Sequence, residues 1–411
     1  MAELPLSQEL ISQLPNPAYV LDMDLLDRNL EKIRQVADRT GVEIILALKG
    51  FAMWGAFGRL RDYGFCQSTA SSLWEARLAL EEMGRPAYTY AVAYTSEEIE
   101  EIASLSSHLT FNSLGQFERF SGIAKRVNAR LSMGLRVNPE ISSVGVDLYN
   151  PCVPGSRLGV RLCDLPSPKE LPALLEGFHC HALCESDAEA SCNLIDRFEE
   201  RFAAYLPRLK WVNFGGGHLM TRQGYDTEKL IARLKAFRQK WPQLQVILEP
   251  GAAFVWQTGY LLARVEDVVQ NGGTAVAIMN VSFTAHMPDC LEQPYYPVVY
   301  GAVHAGPEEK KMEGREYRYR LGGNSCLAGD FMGDWLFEKP VRPGDLLLFN
   351  DMIHYTFVKT TTFNGVHHPS LCMVRGNQVV YRRDFGYEDF KSRLSSGFGR
   401  IAGWRPIQAL R

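Results

Sequence analysis

The sequence contains no CxxC pair, and its nine cysteines are odd in number and scattered over 411 residues. That argues against a disulfide framework and for reduced thiols in a cytoplasmic enzyme. No stretch approaches the roughly 18–20 consecutive apolar residues that a bilayer span needs. Met1 to Gln13 lacks a basic start followed by an apolar core, so no secretory signal is expected. Neither sign of charge dominates: 44 Lys and Arg against 47 Asp and Glu leave −3, which advertises neither nucleic-acid nor membrane binding. There is no repeat of fixed period and no low-complexity linker. What remains is ordinary globular composition, 46% hydrophobic and 22% charged, in a chain long enough for two domains or one barrel with an addition.

The chain is organised around Ile44-Ile45-Leu46-Ala47-Leu48-Lys49-Gly50. Five apolar residues bounded by turn signals suit a strand buried on both faces. Lys49 closes that strand at its carboxyl end, where an α/β barrel keeps its chemistry, and Gly50 lets the backbone turn sharply away. Most lysines sit on surfaces. One desolvated here has a depressed pKa and can attack a carbonyl as the free amine, which makes Lys49 a candidate for Schiff-base chemistry.

Pro17 to Asp22 reads as a short strand, and Asp24 is the expected cap of a helix running to about Thr40. Strands are expected near 44–48, 65–68, 87–91, 109–111, 132–137, 177–181, 211–214 and 245–248. Helices are expected over 55–62, 72–83, 96–104, 114–126, 188–205 and 226–240. Eight strands alternating with helices predict a (β/α)8 barrel, with an open doubly wound sheet as the alternative. Beyond about residue 259 strands dominate, at 265–269, 274–281, 317–321, 345–349 and 371–381. The expected fold class is therefore α/β: a barrel over 25–259 followed by a mostly β domain over 260–411. The Pro-, Gly- and Ser-rich segment 142–170 is expected to be a long barrel loop.

Several short runs could carry chemistry. Gly215-Gly216-Gly217 follows the seventh strand; without Cβ atoms its N–H groups can surround a phosphate, or it is simply a flexible turn. Glu249-Pro250-Gly251 follows the eighth, where a carboxylate needs a partner: a salt bridge, or the protonated ring nitrogen of a cofactor. His179 and His181 share one strand face. They could begin a metal site, stack on an aromatic cofactor, or be a hydrogen-bonded buried pair. Cys326 could be a proton donor or an inert buried thiol. Tyr355 could donate its phenol to a phosphate or merely pack.

Together these stretches resemble the alanine-racemase-fold pyridoxal-phosphate decarboxylases, the group of ornithine and diaminopimelate decarboxylases. Within it the resemblance is strongest to the carboxynorspermidine/carboxyspermidine decarboxylases. It rests on 17–22, Leu46 to Trp54, Ser68 to Arg77, 111–114, Phe178 to Glu185, Asn213 to His218, Glu249 to Gly251, Cys326 to Asp330 and Asp351 to Thr356. These cover almost the whole chain in family order, and Lys-Gly-Phe-Ala-Met-Trp is quite specific to the subfamily.

The resemblance implies a pyridoxal-phosphate barrel whose first strand, within 1–24, joins the C-terminal β domain. It also implies a homodimer with active sites shared between subunits. Lys49 matches the lysine that holds the cofactor, and His181 the histidine stacked on its ring. Gly215, Gly216 and Gly217, with Gly251, match the phosphate surroundings. Glu249 matches the partner of the pyridine nitrogen, Tyr355 a residue near the phosphate, and Cys326 a cysteine reaching in from the other subunit.

Ala252 stands where the broader family has arginine, Leu327 where an acidic residue usually follows the cysteine, and Thr69 where ornithine decarboxylases carry aspartate. These departures point to a longer, carboxylated polyamine rather than ornithine or diaminopimelate, with Asp289, Glu292 and Asp330 as candidate substrate-binding carboxylates. The expected activity is decarboxylation of carboxynorspermidine or carboxyspermidine to norspermidine or spermidine. The rivals are a related basic amino acid decarboxylase, a metal-dependent barrel hydrolase using His179 and His181, and a cofactor-binding protein without catalysis.

Overall fold

The structure, a computed structural model, describes residues 4–292, 295–306, 312 and 314–395. They form two compact units, one of residues 21–259 with 351–358 and one of residues 1–20, 260–350 and 359–411 as far as described. The expected bounds differ in assigning 351–358 to the β domain and 21–24 away from the barrel.

In the first unit, parallel strands run in the order 43–44, 245–248, 211–213, 175–179, 132–138, 106–111, 87–90, 68–70 and 46–47. The first and last members are one stretch of chain. Glu43–Ile44 pairs with Gln245–Leu248 and Leu46–Ala47 with Ser68–Ala70. At the join, Ile45 N–H donates to the Leu248 carbonyl and Leu46 N–H to the Gln67 carbonyl on the opposite side. The stretch expected as a single strand thus hands its backbone from one neighbour to the other, and the ring closes on itself. Ile44 to Leu48 are all buried, as a strand with protein on both faces requires.

Inside the ring, Trp211 packs with Ile45, Tyr88 and Ile247. Its indole occupies the space beside Gly134 and Gly177, where a Cβ at either glycine would fall well inside contact distance. Its ring N–H donates to Ser132 Oγ at 2.8 Å.

The helices fall near their expected positions, with local differences. The first long helix, Met23–Thr40, is capped by Asp22 rather than Asp24: one Asp22 carboxylate oxygen accepts from the N–H groups of Asp24 and Leu25. Leu26, Leu30, Ile33 and Val36 form its buried stripe, and Gly41 ends it at φ 65°. The expected helix at 72–83 is helical over Leu73–Leu78 and then widens into a π-turn over Ala79–Met83.

The second unit is built on a nine-stranded sheet that contains Ala18–Asp22 between Gly259–Asn271 and Ser370–Arg375. The N-terminal strand is therefore part of the C-terminal sheet. Leu6, Leu10 and Leu14 pack with Val20, Tyr260, Leu262, Leu348 and Cys372 in one core cluster. Two differences from expectation stand out. The strand Phe331–Phe337 was not anticipated, and 371–381 is a hairpin of Ser370–Arg375 and Gln378–Arg383 that turns at Gly376, φ 53°. No helix among the described residues is long and apolar enough to cross a membrane.

Candidate active site

Strand ends of the barrel unit gather Lys49, His179, His181, Gly215, Gly216, Gly217, Glu249 and Gly251. Lys49 leaves the 46–47 strand in a tight turn, with Gly50 N–H donating to the Ala47 carbonyl at 2.9 Å. Gly50 faces Gly251: a Cβ on Gly50 would lie 2.8 Å from Gly251 Cα. The turns after Lys49 and after Glu249 thus pack backbone on backbone, which only glycine at both positions allows.

The strand Leu175–His179 ends before His181, so the two histidines diverge into different roles. His181 Nδ1 accepts from Gly216 N–H at 2.9 Å, and its Nε2 lies 3.3 Å from Lys49 Nζ. A neutral imidazole carries one N–H. Because Nδ1 accepts, the proton sits on Nε2, and Lys49 Nζ must then accept with a lone pair. That hydrogen bond forms only with the uncharged form of the Lys49 amine. The electrostatics agree. Burial pushes the Lys49 pKa down and the Arg136 guanidinium adds to that, while Glu249 opposes it. Solvent reaches Lys49 at the open mouth, yet protein encloses it on its other sides, and that enclosure sets the desolvation. Burial and the neighbouring Lys49 also hold His181 well below the usual histidine range.

The triple glycine is tightly specified. Gly215 and Gly217 adopt φ of 68° and 90°. A Cβ on Gly215 would sit 2.5 Å from His181 Cβ, one on Gly216 would strike the Glu249 carbonyl oxygen, and one on Gly217 the Leu183 backbone. Asn213 braces the turn: its Oδ1 accepts from Gly215 N–H at 2.8 Å and its Nδ2 donates to Glu249 Oε1 at 2.6 Å. Glu249 Oε2 lies 3.1 Å from His179 Nε2. Burial alone raises the Glu249 pKa; His179, Asn213 and Lys49 outweigh that and keep it below the ordinary carboxylate value. Burial pushes the His179 pKa down, and Glu249 opposes that. Among the described residues no group of three His, Cys, Asp or Glu side chains is placed to hold a metal ion.

Tyr355 begins the short helix Tyr355–Val358, which belongs to the barrel unit. There the His354 ring stacks on Trp256 at 5.6 Å, and Asp351 Oδ1 accepts from Gln257 N–H at 2.6 Å.

The remaining candidates lie in the β unit. Cys326 is exposed, and its N–H donates to Asn364 Oδ1 at 2.9 Å. Asp330 was expected to bind substrate. It is buried, Oδ2 accepts from Ser325 Oγ at 2.6 Å and Oδ1 from Thr284 N–H at 3.1 Å, so it shapes the turn that carries Cys326. Asp289 and Glu292 converge on Lys359, whose Nζ is 3.0 Å from Asp289 Oδ1 and also bonds Glu292.

Arg136 and Asn213 were not singled out from sequence. Arg136 is buried within the Ser132–Asn138 strand, donates to the His181 carbonyl at 2.9 Å and covers the Tyr90 ring at 4.8 Å. A charge inside the apolar run Met133 to Val137 was the available signal, the same one that marked Lys49.

Comparison with known proteins identifies the family. The sequence family described as "Pyridoxal-dependent decarboxylase, C-terminal sheet domain" matches residues 18–353. The chain belongs to the pyridoxal-dependent decarboxylases. It is 49% identical to carboxyaminopropylagmatine decarboxylase of Synechocystis over 93% of this chain and 96% of the relative. It is 44% identical to carboxynorspermidine/carboxyspermidine decarboxylase of Campylobacter jejuni over 93% and 99%. The structure of carboxynorspermidine decarboxylase from Campylobacter jejuni complexed with norspermidine matches with a TM-score of 0.83 at 41% identity, covering 92% of this chain and all of that one.

The decarboxylase is thus a pyridoxal-phosphate-dependent carboxy-lyase. Its barrel mouth fits that cofactor: a lysine amine whose pKa burial pushes down, a glycine turn from which every Cβ is excluded, and a buried carboxylate held below its ordinary pKa.

Proposed function

We propose that this decarboxylase removes the carboxylate from carboxynorspermidine and carboxyspermidine, yielding norspermidine and spermidine in polyamine biosynthesis. The observation that carries the reading is the Gly216–His181–Lys49 chain, in which Gly216 N–H donates to His181 Nδ1 and His181 Nε2 lies 3.3 Å from Lys49 Nζ. The Campylobacter jejuni relative's name supports this choice of substrate. A second reading has its own support: the Synechocystis relative is named for a carboxyaminopropyl substrate ending in agmatine. The named substrates differ chiefly in the distal cation.

Lys49 would hold the cofactor through Nζ, and the His181 ring would lie along its face. Gly215, Gly216, Gly217 and Gly251 would leave room for its phosphate, with the Tyr355 phenol as a further donor, and Glu249 would pair with its ring nitrogen. Bound pyridoxal phosphate supplies the electron sink for the pair released when the carboxylate departs. Glu249, ionised, keeps a proton at that ring nitrogen because opposite charge favours the protonated form. Cys326 Sγ or Lys49 Nζ returns a proton to the carbon that lost the carboxylate. Asp289 and Glu292 meet the distal cation of the substrate, in competition with Lys359. The working form is a cytoplasmic homodimer in which Cys326 serves the partner's site.

The test is carbon dioxide release from carboxynorspermidine, carboxyspermidine and carboxyaminopropylagmatine, with ornithine, arginine and diaminopimelate as controls. One methylene is worth about 1–3 kcal/mol in a pocket, so the two triamines should differ by less than about 200-fold in kcat/KM. Turnover of the guanidino substrate far above both triamines would move the assignment to the second reading. Turnover of a control alone would refute both.

A further inference from the structure

Three neighbouring parallel strands end in side chains that meet. Asn213 pairs in register with His179 on one side and Ile247 on the other. Glu249 lies two residues beyond Ile247, and in extended chain residues two apart share a face. The row closes on the carboxylate: Asn213 Nδ2 at 2.6 Å from Oε1, His179 Nε2 at 3.1 Å from Oε2. His179 is 2% exposed, and its Nδ1 has no partner among the described residues. A buried ring nitrogen without a partner is costly, so something must favour a histidine in this position.

We propose that His179 is a positioning residue for Glu249: with Asn213 it clamps the carboxylate from both sides and fixes the rotamer that the cofactor's ring nitrogen meets. This rests on the reading of Glu249 given above. One donor leaves a carboxylate free to swing about its last torsion; two donors from different strands do not. The histidine acts as a neutral donor through Nε2–H. An imidazolium would bring a second N–H with no acceptor, beside the positive Arg136. His179 is thereby separated from His181, which carries the Lys49 contact. The bare Nδ1 is the cost of pointing the proton at Glu249; the Tyr90 ring lies 5.2 Å from the His179 ring, centroid to centroid.

The test uses the full chain freed of cofactor, with pyridoxal phosphate as the titrant and bound cofactor read by absorbance and fluorescence. His179→Phe keeps a ring beside Tyr90 but removes the donor; His179→Gln restores an N–H. We expect His179→Phe to weaken cofactor binding about 10–100-fold, the range seen when partners that orient a bound group's ligands are lost. The deficit relative to wild type should grow as pH falls from 8 to 6. Without its second donor Glu249 takes up a proton more readily, among facing groups that are otherwise Lys49, Asn213, Tyr90 and Arg136. His179→Gln should recover to within about threefold of wild type. Wild-type affinity in His179→Phe at every pH overturns the proposal, as does a His179→Gln protein no better than His179→Phe. Glu249→Gln, run in parallel, separates the layers: if it binds cofactor as wild type does, the reading of Glu249 fails with the proposal. If it is weakened while His179→Phe is not, only the role of His179 fails.

Discussion

At the scale of single residues, the chemistry depends on which proton sits where. Gly216 N–H fixes the His181 tautomer, and that tautomer can bond only to the uncharged form of the Lys49 amine. Replacing Lys49 by methionine should leave the fold intact and abolish covalent retention of pyridoxal phosphate, checked by mass spectrometry after borohydride reduction. Cys326→Ala should bind cofactor normally but lower kcat by about 10²–10⁴, the usual contribution of a positioned proton donor. An unchanged kcat would remove Cys326 from the reaction. Lys49 was legible in sequence because a charge at the end of five apolar residues conflicts with a buried strand. Arg136 gave the same conflict. Asn213 did not, since asparagine before a glycine turn reads equally well as punctuation. For Asp330, proximity to Cys326 in sequence says nothing about which way the carboxylate faces. Here Ser325 and Thr284 occupy it.

Elements were legible where periodicity was long. The Met23–Thr40 helix shows its buried stripe directly in Leu26, Leu30, Ile33 and Val36. The break at Ile45 was not legible, because a run buried on both faces has no alternation to mark where pairing changes sides. The Ser370–Arg383 hairpin carries its own signal, the two-residue turn Gly376-Asn377, inside the run expected as one strand. Glycines inside strands carry a hidden requirement. Gly177 and Gly134 make room for Trp211 at the bottom of the ring. Gly177→Ala should therefore destabilise the chain by about 1–3 kcal/mol through overpacking, measured by urea unfolding. Gly177→Ala combined with Trp211→Leu should be milder than the sum of the two single changes, because each relieves the other.

Across the whole molecule, buried histidines set the response to acid. Burial holds His108 and His218 at about 4 and His286 at about 3. Unfolded histidine titrates near 6.5. Below that value the unfolded chain binds protons that the folded chain refuses, so stability falls as pH falls. Each such histidine should subtract about 1–2 kcal/mol at pH 5 relative to pH 7.5. Urea midpoints of the cofactor-free chain at pH 7.5, 6 and 5 should decrease in that order; a flat series would contradict the burial of these side chains. The alternation of strand and helix announced a barrel, but the assignment of 351–358 to the barrel unit was not visible in local patterns. It depends on contacts such as His354 on Trp256, nearly a hundred residues apart.

The central claim is that the uncharged amine of Lys49 holds the cofactor. It is tested most directly by loading the purified protein with pyridoxal phosphate, reducing with borohydride, digesting and locating the pyridoxyl group by mass spectrometry. The account predicts the label on Lys49 and nowhere else, with carbon dioxide release from the carboxylated polyamine lost in step with labelling. Label on another lysine, or unimpaired turnover after full reduction, would contradict it.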